Sequence, residues 1–393
     1  MIKKDNIAIV LGLYETGLGV GRSLGRKSIK VIGLDYRKNI GFYSRYIKPI
    51  PCPHPLKEEK EFIEFLLWIA RKQNEKIVLF ITADDFLISI SRNRKILSEY
   101  VLMNISSENL IESIADKYKQ YKIIHDAGFL VPKTFLPINL DEVDKIRREL
   151  AYPVFVKARE VTSWWDKIKG GGKGFFIKNN RELMDTFKML FELKVEAIVQ
   201  ELIHGPDTNH FKVCCYISQQ NEILLAFTLQ KIRQFPIRFG VGSVVQSIHY
   251  PKLLRTGLKL FRDIDYRGVG SAEFKLDEKD GKLKLIEINP RYWQQNILAD
   301  KCGMNFPLTN YLEVTGQKPE HIVNFKVGTK WINICSDFES YLSYKNLDEL
   351  NGRQWLASLR GDKIFSVFAW DDIIPGFYEM DFGKKLMRFV RYV

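Results

Sequence analysis

The segment GSAEFKLDEKDGKLKLIEINPR, residues 270–291, constrains the fold more than any other stretch of the chain. Two runs that alternate apolar and polar residues flank the turn DEKDG, and an antiparallel pair gives both runs one shared buried face. Period-two alternation sets Glu287 and Asn289 on the same face of the second strand, and pairing across the turn brings Glu273 beside them. Two carboxylates and an amide oxygen on one face suit a hard cation such as Mg²⁺ bridging polyphosphate oxygens. An antiparallel pair often carries glutamates merely as its solvated face. Here apolar neighbours (Phe274, Leu285, Ile286, Ile288) and closure by Pro290 and Arg291 favour the metal reading.

The surrounding sequence supplies anion-binding groups. Lys157 lies inside the apolar strand PVFVKA, where an ammonium needs an anionic partner or a route to solvent. Downstream, GGGKG (Gly170, Gly171, Gly172, Lys173 and Gly174) is a turn whose backbone N–H groups can cap phosphate oxygens. The preceding REVTSWWDK carries Trp164 and Trp165, which read equally as a lid over substrate or as packing within a small subdomain. Lys231 and Arg233 in LQKIRQFP are either phosphate or substrate-carboxylate ligands, or surface cations.

The first hundred residues follow a β-α-β rhythm, with KIVLFITADD a buried strand ending in two carboxylates. From residue 152 the texture turns to strands, glycine turns and two amphipathic helices, NRELMDTFKMLFEL and PKLLRTGLKLFRDI. A chain of 393 residues suits two or three domains, in a mixed α/β and α+β class.

The glycine-rich stretch GLYETGLGVGRSLG, residues 12–25, resembles a dinucleotide turn placed before a helix running through Val20–Arg26. A G-x-G-x-x-G fingerprint fails in both registers, because Arg22 and Leu24 stand in the third glycine's place. Asp35 at the end of the next strand keeps a ribose-binding reading open. The plainer reading is a tight turn that lets a helix N-terminus approach the sheet, with Arg22 near enough to hold a substrate carboxylate.

Composition excludes several classes. Five cysteines form no C-x-x-C pair and the six histidines have no ligand spacing, which argues against zinc and for reduced thiols in a cytoplasm. No apolar run reaches membrane-span length, and the N-terminus reads as a first strand rather than a signal peptide. The net charge of +13 favours anionic partners, but its even spread argues against nucleic acid.

Six segments then occur in order: DKYKQYKIIHDAGFLVPKT, YPVFVKA, GGGKG, VQELIHGPD, YRGVGSAEF and LIEINPR. In this order they resemble the ATP-grasp ligases. GLGVGRSLGRKSIKVIGLD, SRYIK and WDDIIPGFYEM are similar to the carboxylate–amine ligase branch that includes D-aspartate ligase. The resemblance implies a Rossmann-like pre-ATP-grasp domain over 1–112 and an ATP-grasp domain over 113–318, with a small lid at about 152–200 and a large antiparallel nucleotide and metal sheet. A C-terminal segment over 319–393 packs on that core.

The resemblance also implies residue roles. Lys117 and Lys157 contact the ATP phosphates, Gly170–Gly174 with Lys173 close over them, and Glu201, Leu202 and Ile203 recognise adenine. Asp207 takes the place of the ribose-binding acid. Glu273, Glu287 and Asn289 hold two Mg²⁺ ions, a place Mn²⁺ can also fill. Arg291 stabilises charge at the γ-phosphate and acyl phosphate, and Arg22, Lys231, Arg233 and Arg267 are candidate substrate ligands. Ser271 departs from the D-alanine ligases, which have an arginine there; YRGVGSAEF is closer to biotin carboxylase.

The implied activity is ATP-dependent joining of a small carboxylate to an amine through an acyl phosphate, with a homodimer as a candidate assembly. The alternatives are an inactive nucleotide-binding scaffold or sensor of the same fold, and an NAD-dependent oxidoreductase using the N-terminal glycines.

Overall fold

The computed structural model describes residues 3–159, 164, 167–168, 174–320, 322 and 324–380. Three sheets organise them. β1 (Ala8–Leu11), β2 (Val31–Asp35), β3 (Lys48–Pro51), β4 (Ile77–Ile81) and β5 (Val101–Leu102) form a parallel sheet of order β3-β2-β1-β4-β5. Its central strands β1 and β4 are buried along their whole length, as parallel strands covered on both faces must be.

β6 (Thr134–Phe135), β7 (Val154–Ala158), β8 (Phe175–Ile177) and β9 (Ala197–Glu201) form a small antiparallel sheet. Helix Asn180–Glu192 covers it, and Trp164 is buried in their common core with Val154, Val156 and Phe187. Trp164 therefore packs within the small subdomain; Trp165 lies outside the described residues.

The third sheet contains β10 (His210–Ile217), β11 (Ile223–Phe235), β12 (Val241–Ser247), β13 (Gly268–Asp277), β14 (Lys282–Asn289), β15 (Lys330–Ile332) and β16 (Lys363–Phe365). Their order is β14-β13-β10-β11-β12-β15-β16, so the two late strands extend the large sheet itself. Helix Pro251–Asp263 covers one face. On the other, Cys214, Tyr216 and Phe227 share a core with Ala8 and Val10 of β1 and with Trp293 and Trp331.

The glycine stretch folds differently from its sequence reading. Helix Glu15–Gly25 begins five residues before Val20 and takes in four of the glycines. Gly12 alone makes the turn, at φ +88°. Inside the helix the glycines serve close approach: a Cβ on Gly17 would lie 1.9 Å from the Gly12 carbonyl oxygen, and one on Gly21 2.4 Å from Ile47. Asp35 is buried and accepts hydrogen bonds from the backbone of Leu13 (2.6 Å) and Arg37 (3.0 Å) and from Asn39 (2.8 Å). Its carboxylate fixes the turn, which removes the reason to assign it to a ribose.

Candidate active site

The hairpin β13–β14 has the register its alternation predicts: Glu273 faces Glu287 directly, and Asn289 faces Ser271. Four lysines converge on the two carboxylates. Lys117 begins helix Lys117–Asp126, whose N-cap Asp116 accepts from the backbone of Tyr118 and Lys119 and also holds Arg159 at 2.7 Å. So anchored, Lys117 pairs with Glu287. One turn along, Tyr121 donates to the Ile286 carbonyl and accepts from Lys157 Nζ at 2.9 Å. Lys157 also donates to Gln200 on β9 at 3.1 Å, within the small sheet, so it is Tyr121 that ties this sheet to the hairpin.

Lys212 on β10 stands opposite Glu273 and binds it at 3.0 Å, and Lys231 on β11 binds its other oxygen at 3.3 Å. Burial alone would raise Glu273, but Lys212 and Lys231 outweigh it and hold the carboxylate well below its usual range. Burial likewise opposes ionisation of Glu287, yet Lys117 leaves its pKa lowered. Among the described residues no carboxylate pairs with Lys157, and burial, then Lys117, pushes it down to about 8. His210, two residues before Lys212, is kept neutral by burial and by Lys231.

Other candidates are placed as follows. Arg291 makes a two-point pair with Asp84 (2.7 and 3.0 Å), the first residue of the helix after β4. Lys231 is buried at the carboxylates and is no surface cation. Arg233 is also buried, but it is bound to Asp337 at 2.7 and 2.9 Å and to Ser358, which makes it a strut to helix Ile334–Lys345.

Arg267 pairs with Asp265 and lines a small cavity with Arg291 and Asn104. Asp207 accepts from Gln234 at 2.6 Å and from Tyr344. Glu201 ends β9 and accepts from the Ala151 backbone at 3.2 Å, with Leu202 and Ile203 following. Gly174 passes close under β7, where a Cβ would lie 2.2 Å from the Val156 carbonyl oxygen. Gly170, Gly171, Gly172 and Lys173 lie outside the described residues.

Arg22 requires a correction. It sits in the last turn of its helix, fully buried, with Nε on Asp372 at 2.9 Å and Nη2 on the Asp372 carbonyl oxygen at 2.9 Å. The helix's first turn is occupied by Glu15, which accepts from Asn333 at 2.6 Å and from Gln294. A carboxylate already stands where the sequence reading placed a substrate carboxylate.

Sequence reasoning missed Lys212, Tyr121, Gln200 and Asp84. Lys212 had a usable signal: a lone lysine in the apolar strand HFKVCCYI repeats the pattern that singled out Lys157. Tyr121 is four residues beyond Lys117 and so shares its helix face.

The chain is similar to several known proteins. Residues 116–309 match the family model of the carbamoyl-phosphate synthase L chain ATP-binding domain. The chain is 25% identical over 316 residues to D-aspartate ligase of Enterococcus faecium, covering 77% of this chain and 75% of that protein. Among solved structures, N5-carboxyaminoimidazole synthetase of Staphylococcus aureus complexed with ADP superposes with TM-score 0.65 at 17% identity, over 88% of this chain and 87% of that one. Biotin carboxylase of Campylobacter jejuni gives 0.62 at 15% identity, over 82% and 74%. No helix among the described residues is long and apolar enough to cross a membrane. The chain therefore has the ATP-grasp fold, and its residues 116–309 are similar to the ATP-binding domain of the carbamoyl-phosphate synthase L chain.

Proposed function

We propose that the protein is an ATP-dependent carboxylate–amine ligase. The observation that carries this reading is the convergence, among the described residues, of Lys117, Lys157, Lys212 and Lys231 on two carboxylates, Glu273 and Glu287. Such a surplus of buried cations calls for a polyanion. In the reaction a substrate carboxylate oxygen attacks the γ-phosphorus, the bond to the β-bridging oxygen breaks, and ADP leaves. An amine then attacks the acyl carbon, loses a proton and expels phosphate.

The residues contribute position and charge. Lys117 and Lys157 hold phosphate oxygens, and Arg291, kept in place by Asp84, faces the charge that develops on the transferred group. The segment Gly170–Gly174 with Lys173 is proposed to cover the site, and Glu201, Leu202, Ile203 and Asp207 to receive the nucleoside. Excluding water protects the acyl phosphate. Mg²⁺ fits the donor set: among the described residues Glu287 Oε2 and the Asn289 side chain accept no hydrogen bond, and both lie on one strand face with Glu273. When bound, the ion neutralises charge on the phosphate oxygens.

The proposal divides the chain at 112/113 and 318/319 and extends to a cytoplasmic setting and a homodimer, the latter tested by light scattering. The similarity to D-aspartate ligase puts D-aspartate first in a phosphate-release screen of carboxylates against amines. The expected result is ADP and phosphate release dependent on both partners, reduced at least about a hundredfold in Glu287→Gln. Release that no pair raises above that variant would leave an inactive nucleotide-binding scaffold as the reading.

A further inference from the structure

Glu273 and Glu287 face each other across the same hairpin, yet they are neutralised to different degrees. Both oxygens of Glu273 carry an ammonium, Lys212 on Oε1 at 3.0 Å and Lys231 on Oε2 at 3.3 Å. All three side chains are enclosed, at 16%, 8% and 10% exposure for Glu273, Lys212 and Lys231. Glu287 carries Lys117 on Oε1 alone.

Among the described residues, the other groups that Lys212 and Lys231 touch are neutral: Gln295 for Lys212, and Gln234 and the Gly240 carbonyl oxygen for Lys231. A divalent ion taking Glu273 would strip both ammoniums of their one anionic partner and sit next to them as a like charge. Burying an ammonium without a counter-charge is strongly unfavourable. An ion at Glu287 and Asn289 displaces at most one ammonium and finds an amide oxygen with no other partner among the described residues.

We infer that Lys212 and Lys231 are the fixed counter-charge of Glu273, so that this chain binds its nucleotide with one divalent ion, held by Glu287 and Asn289. The two ammoniums take the place of a second ion beside the polyphosphate and the substrate carboxylate. This rests on the nucleotide-site reading above and revises its expectation of two ions. It makes Lys212, a residue the sequence motifs did not select, a determinant of metal stoichiometry.

The test counts Mn²⁺ by the electron paramagnetic resonance signal of the free ion, titrated into the full chain with saturating ADP. The wild type is expected to bind one Mn²⁺ per chain. Lys212→Met combined with Lys231→Met is expected to bind two, the second site tightening at least tenfold, and Lys212→Arg, which keeps the charge, is expected to stay at one. Thermal stabilisation by ADP verifies that each variant is folded. Two ions in the wild type, or one in a folded double variant, would overturn the inference while leaving nucleotide binding intact. Failure of ADP to bind with any ion would overturn it together with the ligase reading.

Discussion

Arg22 and Glu273 each sit in a buried ionic cluster, and the two clusters are built on opposite plans. At Arg22 the charges match: one guanidinium meets one carboxylate, Asp372, which also accepts from Ser44 at 2.6 Å and from the Arg45 backbone at 3.0 Å. Among the described residues, the cations at Glu273 and Glu287 outnumber the acids, and Lys157 has only neutral acceptors, Tyr121 and Gln200. A cluster with matched charges needs no charge from outside and serves to fix the segment around Asp372 onto the first helix. An unmatched one is costly to fold and marks the place where charge arrives from outside.

The most severe way to test this contrast is to break the matched cluster. Asp372→Ala leaves Arg22 buried without a counter-charge, and the expected loss is about 3–5 kcal/mol of unfolding free energy in a denaturant titration. ADP affinity of the folded protein should stay as in the wild type. A large change in affinity with little loss of stability would make Arg22 part of the site after all.

The unmatched cluster should respond to pH. With Lys157 lowered to about 8 from its ordinary 10.5, the fold disfavours its ammonium, so the residue's contribution to stability improves as pH rises from about 8 towards 10.5. Phosphate binding has the opposite requirement. Above pH 8 the free protein must take up a proton to bind ADP, and affinity should fall up to about tenfold per pH unit. Calorimetry in buffers of different ionisation enthalpy reads that proton directly. In Lys157→Met the uptake should vanish; its persistence would assign the titration to another group.

The smallest effect refines the first comparison. Arg26 pairs with Asp371 one helical turn from Arg22, but at 30% and 43% side-chain exposure. Arg26→Ala should cost less than about 1 kcal/mol. A cost approaching that of Asp372→Ala would mean that position on the helix matters more than burial.

Much of this was legible in the sequence where the cause is local. Alternation in β13 and β14 set Glu273 against Glu287 because a strand's side-chain period is fixed by its pleat. The apolar run of β4 and the lone lysine of β7 stood out for similar reasons. The glycines of residues 12–25 misled because local pattern ties glycine to turns, whereas here it answers to neighbours brought by the fold: Ile47 at Gly21, Tyr46 at Gly25 and Asn296 at Gly19. Arg22 and Arg233 were misassigned for the same reason. Their partners, Asp372 and Asp337, are 350 and 104 residues away, and no spacing rule reaches that far.

That separation also bears on how the chain is made. Arg22 leaves the ribosome with the first helix, and Asp372 follows 350 residues later, on the order of tens of seconds at ordinary elongation rates of about 5–20 residues per second. Throughout that interval the parallel sheet has its strands and its helix but not the carboxylate that makes burial of Arg22 tolerable. The parallel sheet is thus synthesised long before it is completed, its final closure timed by the emergence of Asp372, 350 residues later.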